Sequence, residues 1–242
     1  MKCADEQTEF ILLDDLRIDV IRNPRRKRLS LEVGSKGILA RAPERMRLST
    51  IEKFVYSKRD WIKHYSSNLP DPVLPIQLTN GAILKLLDED ITLSLYLNKR
   101  GTGNLNNSIL ELPVIQTKRP IEDSIKDKLI RWYKHQALTC LRDKVAFFAD
   151  EMDIHLPNSM NVKVRDYKRR WGSCDHKGDL SFNWRIIMAP EATIDYVAIH
   201  ELAHLIEFNH STKFWNIVAK QMSDWKHHQQ WLHDNGAQLY RF

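Results

Sequence analysis

The sequence predicts an α+β protein, with a β-rich N-terminal domain over residues 1–118 followed by an α+β domain over residues 119–242. Three observations carry this expectation. Between Ile18 and Leu112 the apolar residues recur with period two, the spacing of half-buried strands. After Pro113 and Pro120 the period becomes that of helices. With 242 residues, 43% of them apolar, the chain can bury one large core or two small ones.

Leu29, Leu31 and Val33 alternate with polar residues, Gly34-Ser35-Lys36-Gly37 supplies a turn, and Ile38 starts the partner strand of a hairpin. A helix follows. Ser49-Thr50-Ile51-Glu52 has capping-box spacing, and Phe54, Val55, Trp61, Ile62 and Tyr65 continue an apolar stripe until Pro70. A second hairpin spans Ala82 to Leu97, with Asp88-Glu89-Asp90 at its tip and Ile91, Leu93, Leu95 and Leu97 on one face. Asn98 to Ser108, rich in glycine and asparagine, reads as an exposed loop. A long amphipathic helix then runs from Ile121 to about Met152. Short strands at Asn161 to Val164 and Leu180 to Arg185 flank a polar loop, and helices open after Pro190, Ser211 and Asp224. The sequence shows no internal repeat.

The formal charge is +6, and five cations fall between Arg22 and Arg28. Such a cluster reads first as a solvated strand edge that discourages edge-to-edge pairing, and second as weak contact with nucleic acid or another phosphate-rich partner. Cys3, Cys140 and Cys174 are odd in number and lack C-x-x-C spacing, so neither a disulfide framework nor a cysteine zinc knuckle is indicated. No run nears the roughly 18 apolar residues needed to span a bilayer, and the acidic N-terminus is unlike a signal peptide. Membrane insertion is therefore not expected, and a cytoplasmic protein is.

His200-Glu201-Leu202-Ala203-His204 matches H-E-x-x-H within the apolar helical surroundings of Ile194, Val197, Leu202, Leu205 and Ile206. Residues four apart share a helix face, so both imidazoles can reach one tetrahedral ion, while Glu201 is placed to act as general base on a metal-bound water. Burying two imidazoles and a carboxylate on an apolar face without partners would cost about 1–3 kcal/mol each, which favours the metal reading over coincidence. A catalytic zinc needs a third protein ligand. After Glu207 the chain contains no glutamate, and Glu207 itself would lie about 10 Å beyond His200 along the helix axis. His210 follows His204 by six residues, as in the H-E-x-x-H-x-x-G-x-x-H sites, although Glu207 stands where the glycine would be. A break at Phe208-Asn209, with Asn209 tolerating a left-handed conformation and Ser211 capping the next helix, would swing His210 back to the metal. His227, His228 and His233 on the terminal basic helix read as surface or core residues, and His176 as a weak candidate for substrate contact.

Arg170-Trp171-Gly172-Ser173-Cys174, Phe182-Asn183-Trp184-Arg185, Ala189-Pro190, the H-E-x-x-H segment, Asn209-His210-Ser211 and Phe214-Trp215 occur in this order. Together they resemble the YgjP-like metal-dependent hydrolases, relatives of the SprT-type zincins. The β-rich half with its arginine cluster also looks like that family. The resemblance implies a zincin-like catalytic domain that holds zinc through His200, His204 and His210, with Glu201 as the catalytic carboxylate. It implies a metallopeptidase-like site, while nucleotide pyrophosphohydrolase activity has also been attributed to the family. The substrate is accordingly a peptide or a nucleotide.

Near the site, Arg185, Tyr167 and Arg170 are candidates for substrate binding and for stabilising an oxyanion. A peptidase would use the Leu180 to Arg185 strand as an open sheet edge. A nucleotide hydrolase would need Arg25, Arg26, Arg28 and Arg170 to converge on phosphates. A third reading, a nucleic-acid-binding module with a structural zinc, would require a closed four-ligand site and leave Glu201 without a purpose. Trp171 and Gly172 read either as the packing of a tight turn or as substrate contacts, and Cys174 as a small buried residue.

Overall fold

The computed structural model describes residues 9–34, 37–67, 74–157 and 160–242. Cys3, Ser35, Lys36 and Pro70 lie outside them. The chain divides into two compact units, Met1–Val73 and Leu74–Phe242.

In the first unit, β1 (Phe10–Leu13), β2 (Leu16–Asn23), β3 (Ser30–Gly34) and β4 (Gly37–Pro43) form a sheet in the order β1-β2-β4-β3. Its two outer pairs are antiparallel and its central pair, β2 with β4, is parallel. The alternating residues Leu13, Ile18 and Ala40 bury one face against Ile51, Val55 and Ile62. Those three come from α1 (Leu48–Ser57) and α2 (Arg59–Ser67), two helices where the apolar stripe predicts one. Asp14, in the β1–β2 turn, pairs with both Arg59 and Lys63 and so ties α2 to the sheet. The capping box is not used. The helix starts at Leu48, which puts Ser49 inside the first turn rather than at its cap, and Arg47 at the cap position makes no side-chain bond.

The second unit opens with β5 (Ile83–Leu86), β6 (Glu89–Leu97), β7 (Asn104–Asn106) and β8 (Ile109–Val114). Their order, β5-β6-β8-β7, and their pattern of one parallel pair between two antiparallel ones repeat those of the first sheet. The chain thus carries a repeat in its topology that its sequence does not display. Leu87 and Asp88, both at positive φ, make the two-residue turn of the second hairpin, one residue earlier than the expected tip, so that Glu89 and Asp90 open β6. The segment expected to be all loop contains β7.

The long helix is α3 (Ile121–Glu151), within a residue of its expected span. Its stripe of Leu129, Tyr133, Ala137 and Leu141 shares a core with Leu84, Leu93, Leu110 and Leu112 of the preceding sheet. The expected boundary near residue 118 therefore falls inside the second unit: the apolar face of β5–β8 has α3 to bury it, so sheet and helix fold as one body.

Beyond α3 lie β9 (Val162–Arg165), β10 (Gly172–Cys174) and β11 (Leu180–Asn183), which runs into a 3₁₀ turn over Trp184–Met188. Then come α4 (Glu191–Ala203), α5 (Thr212–Gln221), α6 (Trp225–Asn235) and a final 3₁₀ turn, Gly236–Tyr240. In the order β10-β11-β9 the strand at Leu180 is central, antiparallel to β10 and parallel to β9. It is not an open edge; β10 is. Lys144 of α3 reaches Glu191 (2.9 Å) and Asp195, fixing the first two turns of α4. Among the described residues no helix is long and apolar enough to cross a membrane.

Candidate metal centre

Helix α4 is apolar almost all round. Ile194, Val197, Ala198, Ile199, Leu202 and Ala203 are buried, so the helix sits inside the unit and presents its few polar side chains to a cleft. It ends at Ala203, with His204 as its C-cap, and its last carbonyls are satisfied by a turn in which the N–H of Leu205 bonds Leu202 and that of Glu207 bonds Ala203. The helix thus stops earlier than the expected break. The chain does bend at Phe208-Asn209, but Asn209 is not at positive φ; its carbonyl accepts the Ser211 N–H instead. Ser211 then caps α5 by accepting the Phe214 N–H (3.3 Å).

This bend returns His210 to α4. One ring nitrogen from each of His200, His204 and His210 lies within 4.8 Å of the others, and the Nε2 atoms of His200 and His210 are 3.0 Å apart. His204 donates from Nδ1 to the carbonyl of Glu207 (3.3 Å), which fixes its tautomer and leaves Nε2 as a free donor for a ligand bond. Glu207 therefore contributes through its backbone, while its carboxylate pairs with Lys213. Phe214 packs against all three imidazoles, with ring centroids 4.5–4.9 Å away, and Trp215 against His200 and His210. Burial in this aromatic surround pushes the His200 pKa down to about 3, aided by the neighbouring histidines. His200 Nδ1 is buried with no partner.

Glu201 faces the same cleft and is only 5% exposed. Burial pushes its carboxyl up to about 8, against the opposing pull of Arg170 and of a backbone hydrogen bond from Cys174. Its carboxylate lies flat on Gly172, where a Cβ would fall on Oε1 and come within 2.6 Å of Cγ. Here glycine is required by close approach. The site sets the neutral imidazole of His200 beside a carboxyl that lacks enough positive charge to ionise readily. A divalent cation supplies what is missing, and the donor set of three nitrogens with no thiolate fits one.

The cleft has a volume of about 630 Å³. Of the three residues expected to bind substrate, Arg170 lines it. Arg185 does not: it is buried, pairs with Asp166 and lies between the rings of Trp184 and Tyr240. Nor does Tyr167, whose hydroxyl bonds Ser173 (3.0 Å) and whose carbonyl accepts from Asn183 and Tyr240. His176 is exposed and outside the cleft lining. Trp171 packs on Gly236 and Tyr240 while lining the cleft, so both readings of that loop apply. Cys174 is half-buried there, its thiol pushed up to about 11 by burial and by Glu201, and so is neutral.

Tyr196, Gln229 and His233 line the cleft without having been expected there. A signal existed for each: Tyr196 precedes His200 by one helical turn, and Gln229 and His233 are four apart on one face of α6. His228, beside them in sequence, is buried against Thr193 instead (3.2 Å).

No curated protein matches the chain in sequence. Among solved structures it is similar to the zymogen of the metallopeptidase abylysin from Pyrococcus abyssi, with 25% identity over 37% of this chain and 89% of that one and a TM-score of 0.34. It is also similar to the zymogen of jannalysin from Methanocaldococcus jannaschii, with 21% identity over 39% and 95% and a TM-score of 0.35. The model of the YgjP-like metallopeptidase domain matches residues 27–235, nearly the whole chain and every residue of the cleft, and the protein belongs to that family of metal-dependent hydrolases.

Proposed function

We propose that the protein is a zinc-dependent peptidase that binds an extended peptide along β10. The observation behind this reading is the meeting of three imidazoles with a buried carboxylate that rests on the backbone of a sheet edge. His200, His204 and His210 would hold the ion, leaving a fourth position for water or substrate. When bound, the ion supplies a Lewis acid that activates water near neutral pH and polarises the scissile carbonyl. Glu201 takes the proton of the attacking water and returns it to the leaving amine. Gly172 and the Cys174 backbone hold that carboxylate in place for both transfers. Arg170 stabilises the negative charge developing on the carbonyl oxygen. The outer edge of β10 offers backbone groups to which a peptide adds as a further strand.

A nucleoside triphosphate is the weaker substrate, because Arg170 is the only arginine or lysine among the described residues lining the cleft, and a polyphosphate needs several. A structural zinc is weaker too, since only three candidate ligands gather among the described residues. Metal analysis with parallel turnover assays on peptide libraries and nucleoside triphosphates tests the proposal. Peptide cleavage is expected, falling by at least about 10²–10⁴-fold in Glu201→Gln while the zinc stays bound. Triphosphate hydrolysis without peptide cleavage would overturn the substrate assignment, and undiminished activity in Glu201→Gln the role of that carboxylate.

A further inference from the structure

We propose that the second unit carries an anion site, separate from the metal centre, that binds a phosphate group through Lys128 and Arg131. These two residues and His135 occupy one face of α3, at spacings of three and four, and line a cavity of about 490 Å³ whose other wall is the Gly101–Gly103 turn before β7. Among the described residues no carboxylate lines this cavity, and none of its lining is shared with the metal cleft. The nearby acids of α3, Asp123 and Asp127, are both turned to Arg119. Lys128 and Arg131 are therefore left as two like charges side by side. Among the described residues neither forms an ion pair, and burial and the charge of Arg131 both disfavour the Lys128 ammonium.

The wall opposite is fixed in place. Gly103 packs so closely on the indole of Trp132 that a Cβ would come within 2.8 Å of Cδ1, and Trp132 itself is buried against Tyr133. Gly101 adopts a φ of 146°, open only to glycine, with Pro113 behind it. Thr102 and Gln136 add a hydroxyl and an amide to the lining. Two cationic side chains, with the Thr102 hydroxyl and the Gln136 amide around a preformed cavity, match a phosphate, which carries more charge and more acceptor oxygens than a single carboxylate. The turn follows Lys99 and Arg100 and connects the second strand of its sheet to the third. In the first sheet, the equivalent connection carries Arg25 to Arg28. The same position is basic in both copies of the topology.

The phosphate can belong to a small phosphorylated molecule or to a nucleic-acid backbone, and the two are separable. Titration of the full-length protein with inorganic phosphate, read by calorimetry, should give saturable binding. The double variant Lys128→Gln/Arg131→Gln, whose side chains are at least partly exposed, should keep its fold by circular dichroism and bind at least about tenfold more weakly. Arg25→Gln/Lys27→Gln removes the same charge elsewhere and should leave phosphate binding unchanged. An oligothymidylate followed by fluorescence anisotropy then identifies the source. If phosphate displaces it and its salt dependence falls by about 0.7 per lost cation in the α3 variant, the ligand is a backbone; phosphate binding without it points to a small molecule. Absence of saturable phosphate binding, full binding in the α3 variant, or equal losses in both double variants would overturn the site.

Discussion

His210 and Glu207 take different places at the candidate metal centre, one by its ring and the other by its backbone carbonyl, and substitution can separate them. His210→Ala removes a ring nitrogen that lies 3.0 Å from His200 and should weaken metal binding strongly in a titration. Glu207→Ala keeps the backbone carbonyl that fixes His204 and should bind metal nearly as the unmodified protein does. The reverse ranking would show that the carboxylate is a ligand. Gly172→Ala places a methyl group on the Glu201 carboxylate, so activity should fall sharply with metal retained, and stability should drop by about 1–3 kcal/mol in urea unfolding. That His200, Glu201 and His204 line one cleft was legible in the sequence, because residues four apart share a helix face and the carboxylate follows the first of them. Arg185 and Tyr167 were not, since nearness in sequence to a strand says nothing of which side a residue faces. Arg185 faces Asp166 and two aromatic rings, which no local pattern announces.

At the scale of elements, the strongest periodicities were the most readable: α3 and the helices after Pro190, Ser211 and Asp224 begin where the sequence places them. Short strands were harder. The three residues of β10 carry too few side chains to show a period, and they displaced β11 from the edge to the centre of its sheet. The contact between α3 and α4 turns on Lys144. Burial disfavours its ammonium, but hydrogen bonds to Asp195 and Glu191 outweigh that and hold its pKa above the ordinary lysine value of 10.5. A cation favoured by folding stabilises the protein fully below the unfolded pKa and loses that contribution as pH rises through the folded one. Lys144→Met should therefore lower stability by about 1–3 kcal/mol at pH 7, and the gap between variant and unmodified protein should narrow above about pH 10.5 in denaturation series. A gap that widens with alkalinity would contradict this origin.

For the whole molecule, residues 74–242 contain the core of α3, its sheet and every side chain of the metal cleft. That fragment alone should unfold cooperatively, and metal at about 100 times its Kd should add about 2.7 kcal/mol to its stability. Failure to bind metal would make the first unit part of the centre. The boundary itself was hidden in the sequence, because a change of period marks where helices begin and not where one core stops. The doubled topology has its own consequence for how the chain reaches its native state. Two sheets with the same strand order and the same parallel centre present edges of the same kind to each other's hairpins while the chain is unfolded. On the ribosome the first sheet can close before the second emerges, whereas dilution from denaturant releases all eight strands together. Synthesis from the N-terminus would thus guard against strand exchange, and refolding from denaturant should give a lower yield of native protein than synthesis does.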